Sequence, residues 1–72
     1  MKMSAESNFL IYCMERYRYF KDLSGADVAK IFDRYGIYRY ITKQFESLHT
    51  MGDDYIVKDI DDYISSLNGE RP

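Results

Sequence analysis

The stretch from Ser24 to Ile41 constrains the fold more than any other part of the sequence. Its residues predict a helix, a turn at a glycine and a second helix that follows at once. Ser24 is suited to cap a helix because its hydroxyl can accept a hydrogen bond from a free amide of the first turn. Gly36 can adopt the left-handed conformation in which many helices end. Between them the apolar residues recur at helical spacing: Val28, Ile31, Phe32 and Tyr35. We therefore expect a tight turn between two amphipathic helices, with the remaining chain packed around it.

The same cap and spacing signals recur along the whole sequence. Ser4 is predicted to cap a first helix, Gly52 to end a third, and Asp53 or Asp54 to cap a fourth. No segment shows the alternation of a strand, although residues 55–57 could stay extended because they are aromatic and β-branched. The sequence predicts a single all-α domain, 1–72, with frayed tails at 1–3 and 69–72 and a compact bundle of four short helices: 5–21, 25–35, 37–49 and 54–67.

Each predicted helix has one apolar face. The first, third and fourth faces are Phe9, Leu10, Cys13, Met14, Tyr17 and Phe20; Ile37, Ile41, Phe45 and Leu48; and Ile56, Val57, Ile60, Tyr63, Ile64 and Leu67. The helical wheel places Tyr40 among outward-facing residues of the third helix, and Asp59, Asp61 and Asp62 in solvent on the fourth. We expect these faces to enclose one small core.

Composition excludes several classes of protein. The 72 residues include one cysteine and one histidine, which cannot form an internal disulfide or a four-ligand zinc site. We expect no metal and no cofactor. No apolar run approaches the length of a membrane span, and the lone thiol favours a cytoplasmic location.

Charge is unevenly distributed. Residues 1–22 and residues 23–50 each carry four basic and three acidic side chains, whereas residues 51–72 carry two basic and six acidic ones. A nucleic-acid binder usually has a concentrated basic face, and here the basic face is thin.

Candidate catalytic residues are few. His49 has no nucleophile or acid at a catalytic spacing, so we expect a structural role near the end of the third helix, where it could be charged or could bond the last carbonyls. Cys13 lies on an apolar face and is predicted to be a buried, inert thiol. We therefore expect a protein without enzymatic activity.

Two other patterns have alternative interpretations. The aspartates of residues 53–62 lack the order of a calcium loop, so a solvated acidic face is expected, which could dock a basic partner or mimic nucleic acid in an inhibitor. The corner at Gly36 could instead be a DNA-binding helix-turn-helix with a thin set of contacts: Tyr38, Arg39, Thr42 and Lys43.

Eight of the 12 aromatic residues are tyrosines, and tyrosine suits half-buried interface positions. The helical wheel leaves several tyrosines off the core. We therefore predict a face that binds another protein or a second copy of the chain, formed by Tyr12, Tyr19, Tyr40, Tyr55, Asp59 and Asp62.

An ordered set of motifs resembles a family of small bacterial domains of unknown function. The first is Phe9 followed by Cys13, and the second is a Ser-Gly-x-x-Val segment that ends in Phe-x-x-Tyr-Gly, between Ser24 and Gly36. The family signature, Leu-His-Thr-x-Gly, corresponds to Leu48, His49, Thr50 and Gly52. The resemblance extends over residues 6–67, and Met51 stands where a polar residue is expected.

The resemblance implies no established activity. Members of that family look like small partners encoded near larger proteins, some of which are similar to ADP-ribosyltransferase-like toxins. The sequence together with this resemblance favours a helical interaction module, with an antitoxin-like or accessory role. A small helix-turn-helix regulator and an acidic nucleic-acid mimic are the alternatives.

Overall fold

The computed structural model describes residues 4–69 of the chain. All regular secondary structure within these residues is helical, which confirms the predicted all-α bundle. The predicted tail residues 1–3 and 70–72 lie outside the described part. The helices, in order, are α1 (Ala5–Lys21), α2 (Gly25–Arg34), α3 (Ile37–Lys43), α4 (Phe45–Leu48) and α5 (Asp53–Leu67).

The predicted caps at the first two helices are confirmed. The Ser4 hydroxyl accepts a hydrogen bond from the Ser7 amide, and the Ser24 hydroxyl accepts one from the Asp27 amide, both over 3.1 Å. Each bond satisfies an amide that has no partner inside its helix. Gly36 has φ +64°, so it adopts the left-handed conformation that the sequence suggests for the turn between α2 and α3.

The predicted third helix, 37–49, is interrupted at Gln44. This residue ends α3 and precedes α4, with φ −99° and ψ 13°. Two residues earlier, the Thr42 hydroxyl donates to the Tyr38 carbonyl over 2.9 Å, a bond that competes with the helix ladder and favours a bend. Beyond the interruption, Phe45 packs edge-on against Phe9 with ring centroids 5.4 Å apart.

The prediction that Asp53 or Asp54 caps the last helix is wrong. Gly52 occupies the cap position with extended backbone, and both aspartates lie in the first turn of α5. Negative charge there is favourable because it lies at the positive end of the helix dipole. Residues 55–57 are helical, since that conformation buries two of their three side chains in the core.

The core receives side chains from every helix. The predicted faces are largely confirmed, but Phe20 and Leu67 are 47% and 50% exposed because each lies at the end of its helix, past the packed part. The buried residues are Cys13, Tyr17, Val28, Phe32, Ile37, Ile41, Leu48, Ile56, Val57 and Ile60.

Helix α1 occupies the centre of the arrangement. It contacts α2, α3 and α5, and α2 also contacts α3. The molecule can therefore be described as two regions, the α2–α3 corner and the α1–α5 pair, which also meet where Tyr40 of α3 stacks on Tyr63 of α5. Within residues 4–69, no helix combines the length and apolar character required to cross a membrane.

Candidate interaction surfaces

The predicted binding tyrosines fall into two groups, of which the first lies on α1. The Tyr12 hydroxyl donates a hydrogen bond to the Asp53 carboxylate, and Arg16 forms a salt bridge with the same carboxylate over 3.6 Å. The Arg16 guanidinium also lies 5.3 Å from the ring centroid of Tyr19. Tyr19 is 68% exposed, so it is the most accessible large side chain of this group.

The second group joins α3 to α5. Tyr40 stacks on Tyr63 with ring centroids 3.9 Å apart, and its hydroxyl donates to Asp59 over 2.6 Å. The predictions that Tyr40 faces outward and that Asp59 is solvated are therefore wrong, because the pair packs inward and both residues are half-buried. Burial, and then the bond to Asp59, raise the pKa of Tyr40 above its ordinary range, which keeps this hydroxyl protonated as a donor.

Asp61, which is also predicted to be solvated, is half-buried and binds α1. It accepts a hydrogen bond from the Tyr17 hydroxyl over 2.6 Å and a salt bridge from Lys21 over 2.8 Å. Burial and this hydrogen bond raise the pKa of Tyr17. Three aspartates of α5 thus bind tyrosine hydroxyls of α1 or α3, and we call these contacts the carboxylate seam: Tyr12–Asp53, Tyr17–Asp61 and Tyr40–Asp59.

The other two predicted site residues stay on the surface of α5. Asp62 is exposed and pairs with Lys58 over 3.1 Å, one helical turn earlier. Tyr55 is 51% exposed and lies near Tyr40, whose pKa it also raises slightly. Whether these residues bind a partner stays a prediction, and the same holds for Tyr12, Tyr19, Tyr40 and Asp59.

A shallow groove of about 560 Å³ lies at the corner between α2 and α3, and we call it the corner groove. Arg34 closes α2, the left-handed Gly36 turns the chain, and Arg39 follows in the first turn of α3. Its remaining lining residues are Asp33, Tyr35, Tyr38 and Tyr63. The groove therefore combines three aromatic rings with two guanidinium groups.

Neighbouring aromatic contacts hold the groove in shape. The Tyr38 ring packs edge-on against the buried Phe32, with centroids 5.7 Å apart. The Arg34 guanidinium lies 5.4 Å from the centroid of the Tyr35 ring, within the range of a cation–π contact. Tyr63 is held by its stack on Tyr40, so the groove borders the second tyrosine group.

The basic residues divide sharply between the two regions. In the described part of the chain, each of the bases on α1 and α5 forms a salt bridge: Arg16, Arg18, Lys21 and Lys58. Within residues 4–69, no acidic side chain lies within salt-bridge distance of the bases on α2 and α3: Lys30, Arg34, Arg39 and Lys43. Among residues 4–69, arginines and lysines without a salt-bridge partner are therefore confined to α2 and α3, where Arg34 and Arg39 line the corner groove and Lys30 and Lys43 do not.

Sequence reasoning misses most of this groove. The sequence analysis assigns no role to Arg34 and places Tyr35 and Tyr63 on the core faces. Both tyrosines do pack against the core, but they are half-buried and also line the groove. A signal is nevertheless present, because the segment RYGIYR places an arginine and a tyrosine on each side of the Gly36 turn. A tight turn brings both ends of such a segment close together.

The residues of the resemblance signature connect α4 to α5. Leu48 is buried, the His49 Nδ1 donates to the Phe45 carbonyl over 2.8 Å, and the Thr50 hydroxyl donates to the Ser47 carbonyl over 3.3 Å. The predicted bond from His49 to the end of its helix is thus confirmed. These side chains satisfy carbonyls at the end of α4 and lead the chain to Gly52.

The single cysteine is buried, as predicted. Cys13 has no exposed surface, and burial raises the pKa of its thiol to about 12, so the reactive thiolate is disfavoured at neutral pH. Among residues 4–69, no three His, Cys, Asp or Glu side chains are grouped closely enough to hold a metal ion.

An apolar hollow of about 160 Å³ lies between α1 and α2. Ile11, 47% exposed, and Met14 form its α1 side, and Gly25 and Val28 form its α2 side. The salt bridge between Glu15 and Arg18, 3.1 Å long, lies at its margin.

Comparison with known proteins identifies a family. A family described as "Protein of unknown function (DUF3791)" matches residues 8–66, which include all five helices except the ends of α1 and α5. No curated protein and no solved structure matches the chain.

Proposed function

The chain belongs to this family of proteins of unknown function, and we propose that it is a non-enzymatic module that binds another protein through its corner groove. One observation carries the proposal: the groove has tyrosine walls and two arginines without salt-bridge partners among the described residues. Tyrosine and arginine are enriched at the energetic centres of protein interfaces. The unpaired guanidiniums remain available to a partner.

The absence of enzymatic activity is part of the proposal. Its support comes from how the ionisable side chains are used. Tyr17 and Tyr40 are held protonated by burial and by their aspartate partners, and the only histidine has Nδ1 bonded to its own backbone. These groups serve packing and helix ends, where they are poorly placed to exchange protons with a substrate.

We extend the proposal to an antitoxin-like or accessory role for a larger bacterial protein in the cytoplasm. This extension rests on the resemblance of the motif set between residues 6 and 67. A small module that binds through one aromatic groove fits such a role, because its partner would supply the chemistry.

Photo-crosslinking tests the binding proposal directly. A benzophenone amino acid replaces Asp33 in the groove of the full chain, and irradiation in cells should yield an adduct with a discrete protein. Glu46, an exposed acidic residue outside the groove lining, is the matched control because its replacement removes the same charge. An adduct obtained only from a third probe, at Tyr19, would move the interface to α1. Absence of a protein adduct from all three positions would contradict a binding module.

A helix-turn-helix regulator is the second candidate, favoured by the unpaired bases of α2 and α3. Two observations weigh against it: the Tyr38 ring packs on Phe32, and the Thr42 hydroxyl is bonded to its own helix, which leaves Arg39 and Lys43 to contact phosphates. Retention of a DNA duplex at low salt, lost in the Arg39→Ala and Lys43→Ala variants, would support this candidate.

A further inference from the structure

The corner groove differs from the rest of the surface in the state of its cations. Arg34 and Arg39 line it, and Lys30 and Lys43 lie exposed on the same two helices. Within residues 4–69, none of these four bases has a salt-bridge partner, whereas the bases on the other helices do. The groove is therefore the part of the surface where a negatively charged partner would gain the most favourable electrostatic energy.

The two arginines are suited to carboxylates. A guanidinium is a planar fork that binds a carboxylate with two parallel hydrogen bonds, and it loses less hydration than an ammonium group when a partner covers it. The contact of Arg34 with the Tyr35 ring restricts the guanidinium before any partner arrives. Half-buried tyrosine rings beside the arginines offer apolar faces between the charges.

The surroundings favour a peptide over a nucleic acid. Asp33 forms part of the groove wall, and Asp59, one turn before the groove residue Tyr63 on α5, is bonded to the hydroxyl of Tyr40, which stacks on Tyr63. A nucleic acid carries a phosphate charge at every step of its backbone, so its continuation beyond the groove would meet these carboxylates. A peptide can space its carboxylates to match the two arginines and place apolar residues elsewhere.

A second copy of the chain is a weaker occupant. Its most acidic element is α5, but Asp53, Asp59 and Asp61 are engaged in the carboxylate seam and Asp62 is paired with Lys58. On α5 of another copy, Asp54 is the one aspartate without such a contact, so this helix could not supply a free carboxylate to each of the two arginines.

We propose that the corner groove binds an acidic polypeptide segment, whose carboxylates pair with Arg34 and Arg39 while its apolar side chains pack against Tyr35, Tyr38 and Tyr63. This inference rests on the proposed function and specifies the chemistry of the partner. It makes the groove selective for a protein that exposes an acidic, partly apolar stretch.

Selection from a phage-displayed library of random short peptides tests the inference without knowledge of the natural partner. The bait is the full chain, at about physiological salt so that diffuse charge attraction is screened. The groove variant is Arg34→Ala with Arg39→Ala. Its matched control is Lys30→Ala with Lys43→Ala, which removes the same charge from the same two helices. Circular dichroism confirms that both variants fold.

Enriched peptides should contain Asp or Glu near an apolar residue. Their affinity, measured by fluorescence anisotropy, should fall by about tenfold or more in the groove variant and by less than about twofold in the control. An equal loss in both variants would indicate diffuse charge attraction and overturn the inference. Tighter retention of a DNA duplex than of the selected peptides, at the same salt, would overturn it in favour of nucleic acid.

Three further outcomes would overturn the inference, and they differ in what they leave of the proposed function. Apolar peptides that bind the groove variant as well as the wild type would overturn the acidic partner and leave a protein-binding groove. No enriched peptide, together with no protein adduct from Asp33, Glu46 or Tyr19 in the crosslinking experiment, would overturn both. Concentration-dependent dimerisation in sedimentation, lost in the groove variant, would assign the groove to a second copy.

Discussion

The carboxylate seam and the corner groove are built from similar side chains, tyrosines and charged residues, yet they use them differently. In the seam, each tyrosine hydroxyl meets an aspartate of the same chain, and Arg16 and Lys21 add salt bridges to two of those aspartates. In the groove, tyrosine rings stand beside arginines that have no salt-bridge partner among residues 4–69. The seam therefore stabilises the fold, and the groove retains unsatisfied charge that a partner can use.

In a small helical domain such as this one, the residue types that stand out in the composition need not be the ones that are free to bind a partner. Composition points to tyrosine and to the acidic last helix, but three of the tyrosines and three aspartates of α5 are occupied in holding α5 to α1 and α3. The informative residues are those with the same chemistry and no internal partner. Satisfied polar networks rigidify a fold, whereas unpaired charges at a concave surface mark a place for binding.

Alkaline pH should have the largest effect on the stability of the fold, and it should act mainly through the tyrosines of the carboxylate seam. The pKa values of Cys13, Tyr17 and Tyr40 are all raised in the folded state, so folding favours their protonated forms. In the unfolded chain the pKa is about 8.5 for cysteine and about 10 for tyrosine. The contribution of each group to the free energy of unfolding is complete below its unfolded pKa and is lost as pH rises toward its folded pKa.

The measurement is the urea midpoint as a function of pH. We expect the midpoint to fall steeply above about pH 10, and the fall to become shallower when Tyr17 and Tyr40 are both replaced by Phe. Tyr19→Phe, at an exposed position, is the control and should leave the slope unchanged. A double variant with the wild-type slope would show that the seam tyrosines are not the groups that titrate.

Reversal of one charge on α5 should have the next largest effect on stability. It distinguishes an aspartate of the seam from an exposed aspartate of the same helix. Asp61→Lys removes the acceptor of Tyr17 and places a cation beside Lys21, so we expect a loss of about 2–4 kcal/mol in unfolding free energy. Asp62→Lys, next in sequence, loses only an exposed pair with Lys58 and should cost less than about 1 kcal/mol.

Thermal or urea denaturation of the two variants measures this difference. Equal losses would mean that Asp61 is effectively solvated and that the seam does not stabilise the fold. The same result bears on the acidic-mimic hypothesis, because reversal of Asp59 and Asp61 is expected to disturb the fold before it reports on binding.

Sequence reasoning succeeds where a rule is local and fails where a choice depends on tertiary contacts. The caps at Ser4 and Ser24 and the turn at Gly36 are predicted because the signal lies within a few residues. The helical wheel fails at Tyr40 and Asp59, since it assigns polar atoms to solvent and cannot see that each is the other's partner across two helices.

The candidate site shows the same limit. Arg39 is predicted as a contact from its place after the turn, but Arg34 is not, because the distance between residues across a turn is not visible to a helical wheel. The interruption at Gln44 is missed for a related reason: the apolar periodicity persists across it, while the contacts that favour a bend are the Thr42 bond to its own backbone and the packing of Phe45 on Phe9.

Removal of a single tyrosine hydroxyl should have a smaller effect on stability, and it distinguishes a seam tyrosine from an exposed one. Tyr40→Phe keeps the stack on Tyr63 but leaves Asp59 half-buried without its donor, so we expect a loss of about 1–2 kcal/mol in unfolding free energy. Tyr55→Phe alters an exposed tyrosine for which the described residues show no side-chain hydrogen bond, and should change stability by less than about 0.5 kcal/mol. Chemical denaturation of both variants decides whether the hydroxyl or the ring of Tyr40 holds α5.

Replacement of the groove arginines should have the smallest effect on stability. The contrast between seam and groove depends on this result, because it requires that the groove arginines do not hold the fold together. Arg34→Ala with Arg39→Ala removes two exposed cations without salt-bridge partners in the described part of the chain, together with the exposed contact of Arg34 with the Tyr35 ring. Unfolding free energy should therefore change by less than about 1 kcal/mol. Arg16→Ala with Lys21→Ala removes the same charge from the seam and should cost about 1–2 kcal/mol, because both residues pair with aspartates of α5. Urea denaturation of the two double variants gives the difference directly. A larger loss from the groove pair would mean that its arginines hold the corner together, and they could not then be regarded as charges kept free for a partner.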